Sequence, residues 1–181
     1  MTGLLSTIAS INKIVDKGNY IYLPSDPLQI SSGQIKDPKL EKEWFQFRLD
    51  MVVDLVDDYL VPAAHAKGKM ITAAVFPGPT VAREVVRQDW ARFRLDAFLP
   101  MLYHVFYEAG PEWVKQQTME AASAVEQPIY SGLFIHDLKV DDFTRTIQMA
   151  MDGGASGVSL FSADGMDAAK WSALGRHKCF S

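Results

Sequence analysis

Four short apolar runs recur along this chain at near-even spacing: residues 70–76, 97–104, 129–135 and 157–161. Roughly 30 residues separate each run from the next, the length of one strand-helix unit. Within each run the apolar residues are continuous instead of alternating, which predicts strands buried on both faces of a parallel sheet. Each is followed by a segment with helical periodicity. The expected fold is therefore α/β, with four parallel neighbouring strands joined by helical crossovers. Repetition of this unit gathers the functional loops at one end of the sheet, beyond the C-terminal ends of the strands.

Length and composition narrow the function classes. The chain has 181 residues, 48% hydrophobic and 22% charged, within the range of one globular domain with a sizeable core. Net charge is −4 and the basic residues are scattered without a stripe, which argues against nucleic acid as a partner. No apolar stretch approaches the roughly 20 residues needed to span a membrane. Residues 1–14 lack a basic start and a small-residue cleavage site, so they do not read as a signal peptide. The single Cys179 has no cysteine partner for a disulfide or a metal site and reads as an uninvolved terminal thiol. The four histidines are far apart in sequence, no cluster has transition-metal spacing, and no cofactor is expected.

Local signals divide the chain further. Residues 3–17 have helical spacing, residues 20–23 are a short apolar stretch, and residues 24–38 read as a loop rich in Pro, Ser, Gly and Asp. A long helix is expected over residues 39–67, with Phe45, Leu49, Val52, Val53, Val56, Tyr59, Leu60 and Ala63 facing the core. Pro62 should kink or divide it, and Gly68 should end it. Thr80, Asp141 and Asp167 are candidate helix caps, and Gly110-Pro111-Glu112 is a good helix start.

Several of these segments resemble the glycoside-hydrolase-like family 10 proteins. The resemblance rests on residues 71–84, on Arg87-Gln88-Asp89-Trp90, on Pro100-Met101-Leu102-Tyr103-His104 with Phe106-Tyr107, and on residues 153–162. Asp26-Pro27-Leu28, Trp44, Phe47, Arg48 and Asp50 also match. The family consists of bacterial proteins with a (β/α)8 TIM barrel, associated with cleavage of glycan chains, bacterial cell-wall glycan among them. A closed barrel takes eight strands and typically about 250 residues. By resemblance, the four strands here are the fifth to eighth. The expectation is a partial barrel: residues 1–24 of unclear origin, then residues 25–181 as its C-terminal half, either a fragment or one half of an assembly. Such a half exposes two strand edges and an apolar inner face, which favours self-association into a homo-oligomer. The resemblance implies that full-length relatives are exported.

Glycoside hydrolysis uses two carboxyl groups, one to protonate the leaving oxygen and one to attack or to activate water. The acids falling near strand C-termini are therefore the catalytic candidates, with Asp137 and Glu108 ahead of Glu84 and Asp164. Tyr103 and His104 end a strand and should point to opposite sides, so one faces the mouth; the resemblance also marks His104. Phe76, Tyr103, Phe106, Tyr107 and Trp113 are candidates for stacking on sugar faces, and His104 and His136, the latter just before Asp137, are candidates for binding the substrate. Gly153, Gly154 and Gly157 enter the last strand from the opposite end, so they form a turn instead of a phosphate cradle. There is no Gly-x-Ser-x-Gly elbow.

Three functions are consistent with this pattern. The first is a fragment of a glycan-cleaving hydrolase that carries part of the site and is inactive alone. The second is a non-catalytic glycan-binding or structural half-barrel that self-associates. The third is another α/β enzyme whose site the sequence does not signal.

Overall fold

The computed structural model describes residues 37–176. The expected N-terminal helix, the stretch at residues 20–23 and Cys179 lie outside them. The first helix, α1 (Pro38–Asp54), starts where Asp37 caps it by accepting from the Lys39 and Leu40 amides, with Pro38 at its first position. The expected long helix is divided around Pro62, as anticipated, by a segment that departs from α geometry. Residues Leu55–Leu60 form a π-turn and Val61–His65 a short helix, α2. Pro62 has no N–H to return to the turn before it and its ring crowds that turn. The Val61 amide reaches back five residues to the Val56 carbonyl, which widens the helix.

The extra residue in the turn rotates everything after it. Leu49 and Val53 are buried as expected, but Tyr59, Leu60 and Ala63 face solvent, and Asp57 and Val61 turn inward instead. Asp57 is satisfied there by the Arg94 amide (2.8 Å) and the Arg94 Nε (3.0 Å). Gly68, at φ +62°, closes the turn after α2.

The remaining chain repeats the strand-helix unit: β1 (Thr72–Val75), α3 (Pro79–Val86), β2 (Ala97–Pro100), α4 (Pro111–Ala124), β3 (Tyr130–Phe134), α5 (Val140–Asp152), β4 (Gly157–Phe161) and α6 (Ala168–Gly175). Short 3-10 turns lie at Trp90–Arg92, His104–Tyr107 and Ala163–Gly165. Two of the expected caps move. Gly78 precedes α3 with Pro79 at its first position, and the Thr80 amide donates instead to Glu120 Oε1 of α4 (3.0 Å). Lys139 precedes α5, which leaves Asp141 in its first turn, where a negative charge suits the helix dipole. Asp167 caps α6 as expected, accepting from the Lys170 amide (2.7 Å).

The strands are parallel but do not form one continuous ladder. β1 pairs with β2 and β3 with β4, and only two isolated bridges, Phe98 to Ile129 and Met101 to Gly132, join the pairs. Pro100 is the physical reason. The Phe98 amide donates to the Pro128 carbonyl (3.0 Å) and the Leu102 amide to the Gly132 carbonyl (2.7 Å). The rung between them would come from residue 100, which as proline has no N–H. At the same place β3 needs a glycine: a Cβ on Gly132 would sit 2.9 Å from the Pro100 carbonyl oxygen.

Burial is one-sided, which corrects the expectation of strands covered on both faces. Val75, Phe98, Leu133 and Ile135 are fully buried under the helices. On the other face Thr72, Ala74, Tyr130 and Phe161 are exposed and Leu99, Met101 and Phe134 half-buried. The runs read as continuously apolar because this open face carries Ala, Leu, Met and Phe too. Beneath the covered face lie two core clusters. One joins Val53, Val61, Val75, Trp90 and Phe98, and the other joins Leu102, Leu133, Ile135, Phe143 and Ile147. A buried hydrogen bond between Thr118 and Ser131 (2.8 Å) ties α4 to β3.

Candidate functional site

At the C-terminal ends of β1 and β2 lies a half-open cavity of about 420 Å³, lined by Phe76, Pro77, Met101, Tyr103, Phe106 and Tyr107. Four of its six lining residues are aromatic. The wall on the β1 side is fixed by the segment after α3. Gln88 Oε1 accepts from the Phe76 amide (2.8 Å), and the indole N–H of Trp90 donates to the Phe76 carbonyl (3.1 Å). Both backbone groups of Phe76 are thus held by side chains from one short segment. Trp90 is fully buried and packs against Phe98 with the rings tilted by 40°. Its neighbour Asp89 is buried beneath Arg83 and Arg92. Gly78, at φ +45°, lets the loop lie against α4, where a Cβ would overlap Gln117.

The β2 side of the cavity comes from the 3-10 turn that begins at His104. Tyr103 and His104 point to opposite sides. Tyr103 lines the cavity; its hydroxyl is pushed up from the ordinary tyrosine range by burial. His104 does not line the cavity and is only 4% exposed. Burial holds its imidazole below the ordinary histidine range, an effect that Asp142 partly opposes, and its Nδ1 has no hydrogen-bond partner among the described residues. Tyr107 stacks on Trp113 of α4, with ring centroids 4.8 Å apart, so Trp113 supports the wall from behind. Phe106 is 65% exposed, leaving one side of the wall open to solvent.

Aromatic contact continues from the cavity across the open face. Phe106 meets Phe134 of β3 at 4.8 Å, and Tyr103 stacks on Phe161 of β4 at 5.7 Å. Phe134 and Phe161 are register partners, so these rings form one row across the strand ends. His136 follows Phe134 by two residues, on the same side, and its ring lies 5.2 Å from that of Phe134. His136 Nε2 stands 3.2 Å from Ser162 Oγ and 3.3 Å from Asp164 Oδ1, and the Ser162 hydroxyl donates to Asp164. The hydrogen bond from Ser162, with the charge of His136 adding to it, holds the Asp164 carboxyl below the usual range.

The two acids that led the sequence reading are placed differently. Glu108 and Asp137 are both exposed and both adopt left-handed backbone, at φ +52° and +62°. Neither lines the cavity, and neither side chain has a hydrogen bond or ion pair among the described residues. Glu84 lies exposed on α3. The structure therefore gathers Phe76, Tyr103, Phe106 and Tyr107 around one cavity and sets His136 at the end of the adjoining aromatic row. Phe134, Phe161 and Ser162 were not singled out from sequence. Alternation along β3, which sets Phe134 and His136 on one face, was the signal available for the first of these. Among the described residues no group of three His, Cys, Asp or Glu could hold a metal ion, and no helix is long and apolar enough to cross a membrane. Compared with protein-family models, with curated proteins and with solved structures, the chain matches none.

Proposed function

We propose that this chain is the sugar-binding half of a glycan-cleaving, (β/α)8-type domain, and that it binds a neutral glycan by stacking pyranose faces on its aromatic wall. The cavity at the β1 and β2 ends is the observation that carries this reading. A pyranose presents an apolar C–H face and a polar edge. Rigid aromatic side chains suit the first at low entropic cost. The locked backbone of Phe76 and the stack of Trp113 on Tyr107 pre-organise the wall, so little ordering is required on binding. The parallel strands, their succession in strand-helix units and the sequence resemblance favour the barrel-type relation.

Catalysis is a separate matter. Hydrolysis needs two carboxyl groups about 5 to 9.5 Å apart across the scissile bond. Among the described residues no carboxylate lines this cavity. We infer that the chain alone binds glycan without cleaving it. Isothermal titration of the chain with cellotetraose and chitotetraose tests the binding, with product analysis on the same samples. Binding of either sugar without new reducing ends is expected, with loss of binding in Phe106→Ala and Tyr103→Ala. Absence of binding to both sugars would overturn the reading. Turnover abolished by Asp137→Asn or Glu108→Gln would overturn the non-catalytic part.

A further inference from the structure

The polar group at the other end of the aromatic row has a distinct chemistry. Its members come from the ends of two adjacent strands, His136 after β3 and Ser162 and Asp164 after β4. The Ile135 amide donates to the Phe161 carbonyl (3.1 Å), so the two chain ends are still paired where these side chains emerge. Below them, Lys170 of α6 is 6% exposed and donates to the carbonyls of Ile135 (3.2 Å) and Gly165 (2.8 Å). One buried ammonium thus anchors the backbone on both sides of the cluster. A Cβ on Gly165 would lie 3.3 Å from the His136 ring, which packs the turn tightly against it.

We propose that His136, Ser162 and Asp164 form a second subsite, one that hydrogen-bonds the hydroxyl groups of the next sugar along the glycan held by the aromatic wall. The proposal rests on the glycan-binding reading above. The Asp164 side chain is 74% exposed, and a carboxylate offers about four lone-pair positions, more than its serine and histidine contacts occupy. Adjacent carboxylate, imidazole and hydroxyl groups match the alternating donors and acceptors of a vicinal diol. The His136 ring on Phe134 makes this polar group continuous with the row that reaches Phe106 and the cavity.

Other occupants fit less well. The carboxylate opposes an anion. A metal ion would need further ligands, and no group of three candidate ligands exists among the described residues. Nucleophilic catalysis by Ser162 would need serine and aspartate on opposite nitrogens of the imidazole. Here both meet the same Nε2, and Ser162 gives its proton to Asp164. A neutral polyhydroxyl ligand is what the cluster can satisfy.

The test is titration of the whole chain with cellobiose and cellotetraose, and with the matching chitin oligomers, for wild type, Asp164→Asn, Ser162→Ala and Phe106→Ala. Thermal melts confirm that each variant folds. Wild type should bind the tetrasaccharide about tenfold more tightly than the disaccharide, and Asp164→Asn should erase that gain while still binding the disaccharide. Phe106→Ala should weaken both. If Asp164→Asn and Ser162→Ala keep the wild-type dependence on sugar length while Phe106→Ala loses binding, the second subsite is overturned and the aromatic reading stands. If wild type binds none of these sugars, the glycan-binding reading fails and the subsite fails with it.

Discussion

The two strand pairs finish their C-terminal ends by opposite means. At the β1–β2 pair, polar side chains of Gln88 and Trp90 are spent on the Phe76 backbone, and what remains facing outward is aromatic. At the β3–β4 pair, a buried lysine holds the backbone from below, and the outward side chains of His136, Ser162 and Asp164 stay polar. Backbone groups at a loop must be satisfied in either case. Which side chains do so decides what is left for a ligand. One open face can then offer an apolar wall and a hydrogen-bonding edge side by side, joined by the Phe106–Phe134–His136 row.

Removing the Trp90 lock at the β1–β2 pair should have the largest effect. Trp90 is fully buried, so Trp90→Ala should cost about 3–5 kcal/mol in urea unfolding, the usual range for deleting a buried aromatic side chain. Trp90→Phe should cost less, about 1–2 kcal/mol, by orphaning the Phe76 carbonyl. A full-size loss in Trp90→Phe would mean that the indole hydrogen bond outweighs the packing. Next comes the joint between the pairs. Gly132→Ala drives a Cβ toward the Pro100 carbonyl and should cost about 1–3 kcal/mol by the same measurement. A neutral effect would show that the pairs are freer to move apart than their bridges imply.

The second lock should behave locally. Lys170→Met leaves the Ile135 and Gly165 carbonyls without their donor, at a cost on the order of 1–2 kcal/mol. Hydrogen exchange should speed up at residues 162–166 and stay unchanged at β1 and β2. The smallest effect concerns pH. His104 is buried, and its folded-state pKa lies below that of the unfolded chain. Its contribution to stability is therefore complete above about pH 6.5 and falls as the pH drops toward the folded-state value. Chemical denaturation between pH 7 and pH 5 should show a steeper loss for wild type than for His104→Gln.

Much of the scaffold was legible because it rests on short-range signals. The four apolar runs coincide with the four strands, and proline or aspartate marks the starts of α1, α4 and α6. Pairing was harder to read. Pro100 lies inside a run that looks like a central strand, and its missing N–H splits the ladder into two pairs. The π-turn was hidden for a similar reason, since Pro62 acts on the turn before it and not only at its own position. Around the site, Phe76, Tyr103 and Tyr107 could be named because each follows a strand. The inward turn of His104 could not be assigned, because alternation alone does not say which of two neighbours meets the core. The Ser162 hydrogen bond to Asp164 is local, but His136 meets both residues only through the β3–β4 register, across 26 residues of chain to Ser162.

Glycan binding can be watched directly at the aromatic wall. Aromatic carbon-proton NMR spectra of the chain, with phenylalanine and tyrosine labelled, should be recorded during titration with cellotetraose and chitotetraose. The signals of Phe76, Tyr103, Phe106 and Tyr107 should shift together and saturate at one affinity, while buried Phe98 and Phe143 stay still. Unchanged signals from all four rings at millimolar sugar, or shifts confined to rings elsewhere, would contradict glycan binding at this wall.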